Sequence, residues 1–371
     1  MSDPASGATV IRVATGSPYD VVVGEDLLDL LPGSLGSGVA RVGLVFPDDL
    51  GAPAALVRDL LATSYDVLDL TVPAGERAKT AAVAADCWER LGRAGFTRSD
   101  AVVSVGGGAT TDLGGFVAAT WLRGVRMVHV PTTLLGMVDA AIGGKTGINT
   151  AAGKNLVGSF HEPAAVLCDL TLLGSLPAAE LRSGLGEIVK CGFIADPRIL
   201  ELVERADPAE LGLGSAVLRE LVERAVRVKA AVVADDLTDT GGSTGHPGRE
   251  VLNYGHTMGH AIEQASGYTL RHGEAVAIGS VYAAELARAA GILDDAVADR
   301  HRSVLTRVGL PTTWTGASYD DLRHRMAVDK KSRGSQLRFV VLSDLGRPQI
   351  LAGPREADLR AAYQVMTGAG S

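Results

Sequence analysis

Apolar and polar positions along the chain change rhythm near residue 175. Before that point, short apolar, often β-branched runs recur at 11–14, 19–23, 42–46, 66–72, 101–105 and 128–130. Their length and composition are those of buried strands. Helical patterns separate them at 54–62, at 81–94 and up to residue 119. Strands alternating with helices predict a doubly wound α/β domain with a parallel sheet. From about 177 the apolar residues recur at helical spacing over 177–194, 198–205, 216–234, 253–266, 274–290 and 294–308. Only 337–342 and 348–352 read as strands there. The expected organisation is an α/β domain over 1–175 followed by a mostly α-helical domain over 176–371. Within the second, TDTGGSTGHPG at 238–248 has the composition of a flexible surface loop.

The strand at 101–105 runs directly into Gly106, Gly107 and Gly108, and Ala109 leads to Thr110, Thr111 and Asp112. These last three are expected to cap the next helix at its N-terminus. A strand, a glycine turn and a helix start aim several backbone N–H groups at one place, where the helix dipole favours an anion. That arrangement predicts a nucleotide-pyrophosphate site. It is not GxGxxG, because Thr111 stands where the third glycine would be, and GGKT at 143–146 is no P-loop, because its first glycine would fall on Asp139. Lys145 and Lys154 lie in glycine-rich, aromatic-poor surroundings with Asp139 and Asn155 nearby, a setting suited to anionic oxygens. Upstream, Glu76 and Lys79 in PAGERAKT read by themselves as an exposed, charged helix cap.

The helical half has its own candidates. Glu187 and Lys190 sit one turn apart in LRSGLGEIVKCGF, His256 and His260 one turn apart in NYGHTMGH, and His272 follows in RHGEA. Glu187, His256 and His272 would make a Glu-His-His metal site with a position left for substrate oxygen. An i, i+4 histidine pair equally suits packing or capping, and spacing does not choose between them.

Composition narrows the classes. Hydrophobic content of 46% and charged content of 21% over 371 residues are globular values, with enough chain for two cores. A formal net charge of −8 argues against a nucleic-acid surface, so an anionic small molecule needs a local cluster of Lys and Arg. Cys87, Cys168 and Cys191 have neither metal nor disulfide spacing, which fits a reducing compartment. With no signal-peptide pattern at the start and no apolar run of membrane-spanning length, a cytoplasmic protein that binds neither membrane nor nucleic acid is expected.

Taken in order, GGGATTDLGGFVAATWLRGV, VPTTLLGMVDAAIGGKTGINTAAGKNLVGSFHEP, SGLGEIVKCGFI, LNYGHTMGHAIE, RHGEAVAIG and DKKSRG resemble the 3-dehydroquinate synthase family of sugar phosphate cyclases over nearly the whole chain. The resemblance implies an N-terminal NAD-binding domain, a helical metal- and substrate-binding domain, an active site in the cleft between them, and a homodimer carrying one NAD and one divalent metal, zinc or cobalt, per subunit. It assigns Glu187, His256 and His272 to the metal. It assigns Glu76, Lys79, the glycine turn from Gly106 to Asp112, Thr132, Thr133, Lys145, Lys154, Leu172, Leu173, Gly174 and Ser175 to NAD. It places Asp139, Lys145, Asn155, Lys190, Lys229, Arg249, Asn253 and His260 about the substrate, with Arg123 and one of Lys330 and Lys331 facing its phosphate and carboxylate. The implied substrate is 3-deoxy-D-arabino-heptulosonate 7-phosphate. The implied course is oxidation at C5 by NAD, elimination of phosphate, return of the hydride, ring opening and intramolecular aldol closure, with NAD regenerated. His260 and Lys190 would transfer protons.

Two departures bear on that inference. The connector before Arg249 is long and Gly/Ser-rich, with Asp236 where the family commonly has Glu. Gly186 replaces the family's usual alanine, which by helix propensity loosens its helix by up to about 1 kcal/mol. Neighbouring cyclases acting on sedoheptulose 7-phosphate, glucose 6-phosphate or an amino analogue are the nearest alternatives, with Asn253 and DKK favouring the dehydroquinate reading. A metal- and NAD-dependent polyol dehydrogenase would need fewer lysines, and a module that only binds NAD would not fill every catalytic position.

Overall fold

The computed structural model describes residues 7–241, 247–329 and 336–368. Tertiary contacts divide the chain into two compact units, Met1–Pro177 with Lys229–Thr238, and Ala178–Val228 with Asp239–Ser371. The first break falls two residues beyond the change of sequence rhythm, and a ten-residue stretch of the helical half packs with the first unit.

The first unit is built on strands β1 (Thr9–Val13), β2 (Tyr19–Gly24), β3 (Arg41–Pro47), β4 (Asp66–Val72), β5 (Ala101–Gly106), β6 (Arg126–Pro131) and β9 (Ala165–Asp169), in the order β1-β2-β9-β6-β5-β3-β4. All neighbours are parallel except the β1–β2 edge pair. The alternation of side chains along β5 explains why both faces are covered. Ala101, Val103 and Val105 point into one core with helices α1 (Leu31–Leu35) and α2 (Ala52–Leu61). Val102 points into the other, with α3 (Ala81–Arg93) and α4 (Gly108–Thr120). Strand order reverses between β3 and β5, the position at which doubly wound sheets open a ligand crevice beyond their carboxyl ends. The glycine turn follows β5 at that point.

The lysine-bearing segment is not the pair of loops its glycines suggest. It forms a separate antiparallel hairpin, β7 (Lys145–Thr150) with β8 (Gly153–Phe160). Nearly all of β8 is exposed, so it lacks the apolar alternation by which a strand is recognised in sequence.

In the second unit, helices α5 (Ala178–Ile194), α6 (Arg198–Arg205), α8 (His256–Ala265), α9 (His272–Ala289), α10 (Asp295–Arg307), α11 (Tyr319–Asp329) and α12 (Glu356–Met366) are joined by an antiparallel hairpin, β10 (Arg338–Asp344) with β11 (Arg347–Ala352). Helix α7 (Ala216–Asp235) belongs to both divisions, its last residues from Lys229 counting with the first unit. Helix α9 is buried from Ala275 to Ala287 on every side, because α5, α8, α10 and α12 all pack on it.

Two histidines inside these cores are held neutral. His129 meets Ser104 Oγ through Nδ1 at 2.6 Å, and burial pushes its pKa down to about 3. In the other unit, His301 stacks on Phe193 with ring centroids 3.7 Å apart and donates from Nδ1 to the Val297 carbonyl. Its Nε2 accepts from Tyr254 at 2.7 Å, and burial pulls its pKa down to about 4. A depressed histidine stabilises the fold above its unfolded pKa near 6.5, and that contribution is lost as pH falls toward the folded value. Stability should therefore fall by about 1.4 kcal/mol per pH unit for each histidine between about pH 6.5 and 4, read as a falling thermal midpoint. A His301→Gln variant, unable to take up the proton, should lose less over that range, and an identical pH profile would contradict this account.

Candidate functional site

Helix α4 begins one turn earlier than its hydroxyl residues suggest. Gly107 is the N-cap, so Thr110 and Thr111 are buried inside the first turns and Thr111 Oγ1 donates to the Gly108 carbonyl at 2.9 Å. The cause is Gly106, whose φ of +156° turns the chain directly off β5 and whose missing side chain would otherwise lie 2.6 Å from Thr110 Oγ1. The Thr132 N–H donates to the Gly106 carbonyl at 2.9 Å, and Thr133 Oγ1 accepts from Gly136 N–H, so both threonines line the same turn.

Lys79 is not the exposed cap that its local sequence suggests. It is 2% exposed. Its ammonium donates to Asp112 Oδ2 at 2.6 Å and to Asn155 Oδ1, with Glu76 Oε1 3.8 Å away. Burial pushes the Asp112 pKa up to about 6 against the pull of Lys79. Asn149, absent from the sequence reading, completes the framework. It donates from Nδ2 to Glu76 Oε2 at 2.6 Å, and its Oδ1 accepts from the Asn155 N–H at 2.9 Å. Asn155 itself has φ +56°, which asparagine tolerates better than most residues. Asp139, on a short π-helical turn at Gly136–Ala140, pairs with Lys229 of the same unit. Lys145 and Lys154 are exposed on the β7–β8 hairpin. Residues Leu170–Ser175 form a 3₁₀ turn after β9 that buries Leu172 and Leu173 and ends in Gly174 and Ser175. Arg123 is exposed with φ +67° and makes no hydrogen bond or ion pair among the described residues.

In the second unit, Glu187, His256 and His272 do converge. Glu187 Oε1 lies 3.6 Å from His256 Nε2 and 3.4 Å from His272 Nε2, while Oε2 accepts from Lys190. All three ligand-type atoms lie within 4.8 Å of one another. Glu187 and Lys190 are both almost completely buried on α5. Burial would raise the Glu187 pKa, but Lys190, then His256 and His272, hold it well below the usual carboxylate range. Burial and Lys190 push His256 down, against the attraction of Glu187. For His272, burial is outweighed by the neighbouring carboxylates of Glu187 and Glu263, which raise it to about 10. Glu187 Oε1 is a buried oxygen with no hydrogen-bond donor among the described residues. Such an orphan acceptor facing two imidazole nitrogens fits a divalent ion held by two nitrogens and an oxygen.

His260 belongs to the same group, its ring centroid 5.3 Å from that of His256 and 6.2 Å from that of His272. Arg249 is buried in the 3₁₀ turn Gly248–Asn253, at whose end Asn253 is half-buried. Lys330 and Lys331 lie outside the described residues, as does 242–246 of the loop. Glu263 was missed in the sequence, although its place three residues after His260 on a helix was a usable signal.

Gly186 acquires a reason. A Cβ there would lie 2.8 Å from the Gly273 carbonyl oxygen, and one at Gly273 would lie 1.8 Å from the Ser183 carbonyl oxygen. These two glycines let α5 and α9 cross almost backbone to backbone, which sets Glu187 beside His272. Gly186→Ala should therefore lower the thermal midpoint. Overpacking costs about 1–3 kcal/mol and exceeds the gain of about 1 kcal/mol in helix propensity. A stabilised variant would show that the crossing can relax.

Comparison with known proteins bears on both units. The family models described as 3-dehydroquinate synthase N-terminal and 3-dehydroquinate synthase C-terminal match residues 69–183 and 184–332. The 3-dehydroquinate synthase of Thermobifida fusca is 57% identical over 364 residues, 97% of each chain. A 2-epi-5-epi-valiolone synthase from Streptomyces hygroscopicus, solved with NAD+ and Zn2+ bound, is 27% identical with a TM-score of 0.80, covering 94% of this chain and 96% of that one. A 2-deoxy-scyllo-inosose synthase, solved with carbaglucose-6-phosphate, NAD+ and Co2+, shares the fold at 23% identity and a TM-score of 0.84, covering 96% and 99%.

Proposed function

The chain belongs to the 3-dehydroquinate synthase family, and we propose that it converts 3-deoxy-D-arabino-heptulosonate 7-phosphate to 3-dehydroquinate and phosphate using NAD and a divalent ion, zinc or cobalt. Formation of 3-dehydroquinate is a step of the shikimate pathway, which serves aromatic biosynthesis. The carrying observation is the orphaned Glu187 Oε1 aimed at two imidazole nitrogens. The NAD+ and Zn2+ held by the similar valiolone synthase support the same pair of cofactors.

When bound, NAD supplies reversible hydride acceptance and the divalent ion supplies Lewis-acid polarisation of substrate hydroxyls. The chain's own residues do the rest. The glycine turn Gly106–Asp112 offers backbone N–H groups to the cofactor pyrophosphate. Glu76, Lys79, Thr132, Thr133, Lys154 and residues 172–175 are assigned to the remainder of the cofactor. Lys145, Lys190, Lys229, Arg249, Arg123 and one of Lys330 and Lys331 are assigned to the carboxylate and phosphate of the substrate, the local cation cluster that a chain of net charge −8 needs. Asp139, Asn155 and Asn253 orient its hydroxyls, and His260 and Lys190 hold or move protons beside them. Breaking the C–O bond to phosphate makes the enzyme a lyase, the departing phosphate serving as base. The hydride taken is returned, so no net oxidation remains. Holding one flexible intermediate in a reactive conformation is the protein's largest contribution.

The domain assignment is part of this proposal, with cofactor binding in 1–175 and metal binding in 176–371. So is a homodimer, supported by Leu156, Val157 and Phe160 exposed on β8. A cytoplasmic setting is supported by three free, buried cysteines, and no helix among the described residues is long and apolar enough to cross a membrane.

Purified protein with zinc or cobalt, catalytic NAD and the heptulosonate phosphate should release one phosphate per product of dehydroquinate mass, with no lasting NADH absorbance. Accumulating NADH without phosphate would indicate a dehydrogenase. Turnover of sedoheptulose 7-phosphate instead would indicate a neighbouring cyclase. Sedimentation should give twice the 38.3 kDa chain mass, and a monomer would remove the dimer from the proposal.

A further inference from the structure

The two histidines that face Glu187 are held from behind by different partners. His256 donates from Nδ1 to the carbonyl of Tyr254 at 3.1 Å, and that carbonyl belongs to a residue anchored by its own hydroxyl to His301. A carbonyl only accepts, so it fixes the proton on Nδ1 and leaves Nε2 with its lone pair toward Glu187. His272 begins α9 and, among the described residues, has no such carbonyl behind it. Its Nδ1 instead meets the Glu263 carboxylate of α8 at 3.4 Å, while its Nε2 faces Glu187 Oε1 at 3.4 Å. Glu263 is 8% exposed, an uncommon place for a carboxylate that serves only the surface. His260 lies one helical turn before it, and ligand-type atoms of His260, Glu263 and His272 all lie within 4.8 Å of one another.

We propose that Glu263 is a positioning residue, whose carboxylate holds His272 with Nε2 turned to Glu187 and stands beside His260, so that the metal ligand and the proton-transfer residue share one support. A charged acceptor fixes ring orientation and tautomer more firmly than a neutral one and makes the imidazole a stronger donor to a cation. Because α8 carries His256, His260 and Glu263 while α9 begins at His272, this one carboxylate also ties the start of α9 to α8 at the place where all three rings meet. The inference rests on the proposed metal site, and its test separates the two.

Cobalt(II) affinity would be measured by competition with a chromophoric chelator, and the visible spectrum of the cobalt form recorded, for wild type, Glu263→Ala and Glu263→Gln. NAD affinity and the thermal midpoint of each metal-free protein report folding. Glu263→Ala should weaken cobalt binding about 10–100-fold and alter the spectrum, the scale on which such outer partners act. Glu263→Gln keeps an acceptor without the charge and should fall between, and it decides the matter if the alanine variant does not fold. Folded variants with wild-type affinity and spectrum would overturn the role of Glu263 while leaving the metal site standing. A wild-type protein that binds no cobalt would overturn both.

Discussion

The constraint on which the second unit depends is the burial of one carboxylate. Removing a charge from water costs several kcal/mol unless partners repay it, and Glu187 is 2% exposed. Lys190, one helical turn along α5, satisfies one oxygen, and the other is left facing two imidazoles. Such an oxygen is expensive in a fold that makes no use of it. The surrounding architecture follows from holding it there. Helix α9 is wrapped on all sides, α5 reaches it through a glycine crossing, and α8 brings His256, His260 and Glu263 close to His272.

The same economy governs the first unit, with the sign reversed. There the buried charge is a cation, Lys79, and the acid beside it, Asp112, sits in the first turns of the helix that follows the glycine turn. A carboxylate at a helix N-terminus is favoured by the dipole, and Lys79 offsets the rest of its burial cost. Asn149 and Asn155 then link this pair to the β7–β8 hairpin, so side-chain hydrogen bonds tie a largely exposed hairpin to the turn. Both units thus combine an ion pair around a buried charge with close backbone approach at glycine. Buried ion pairs are weak arguments for stability, since apolar replacements are often as good, which makes chemistry the better reason for keeping them.

What was legible in the sequence, and what was not, divides along physical lines. Most strands of the parallel sheet were visible because both faces are covered, so β-branched runs such as 101–105 stay apolar throughout, whereas the short central β9 was not read as a strand. The helices of the second half up to α10 were visible from their period, while α11 and α12 were not read, and the glycine turn was visible from three adjacent glycines. The β7–β8 hairpin was not, because the exposed β8 carries no hydrophobic signature. The start of α4 was placed too late, because Thr110, Thr111 and Asp112 are good caps in isolation and the turn at Gly106 pre-empts them.

The residue types of the candidate site were likewise legible in the sequence, since resemblance to a known family points to Glu187, His256, His272 and the lysines. Their physical states were not. Lys79 looked like an exposed cap because exposure is decided by Asp112 and Asn155, which lie 33 and 76 residues away. Gly186 looked like a weakness because the α9 backbone that fills its missing side chain comes from Gly273. Glu263 went unremarked in the sequence, because only the packing of α8 on α9 sets it beside His272. Periodicity and motif are properties of neighbours in sequence and are present in the chain itself. Burial, charge pairing and ligand convergence are properties of neighbours in space, and folding alone brings those together.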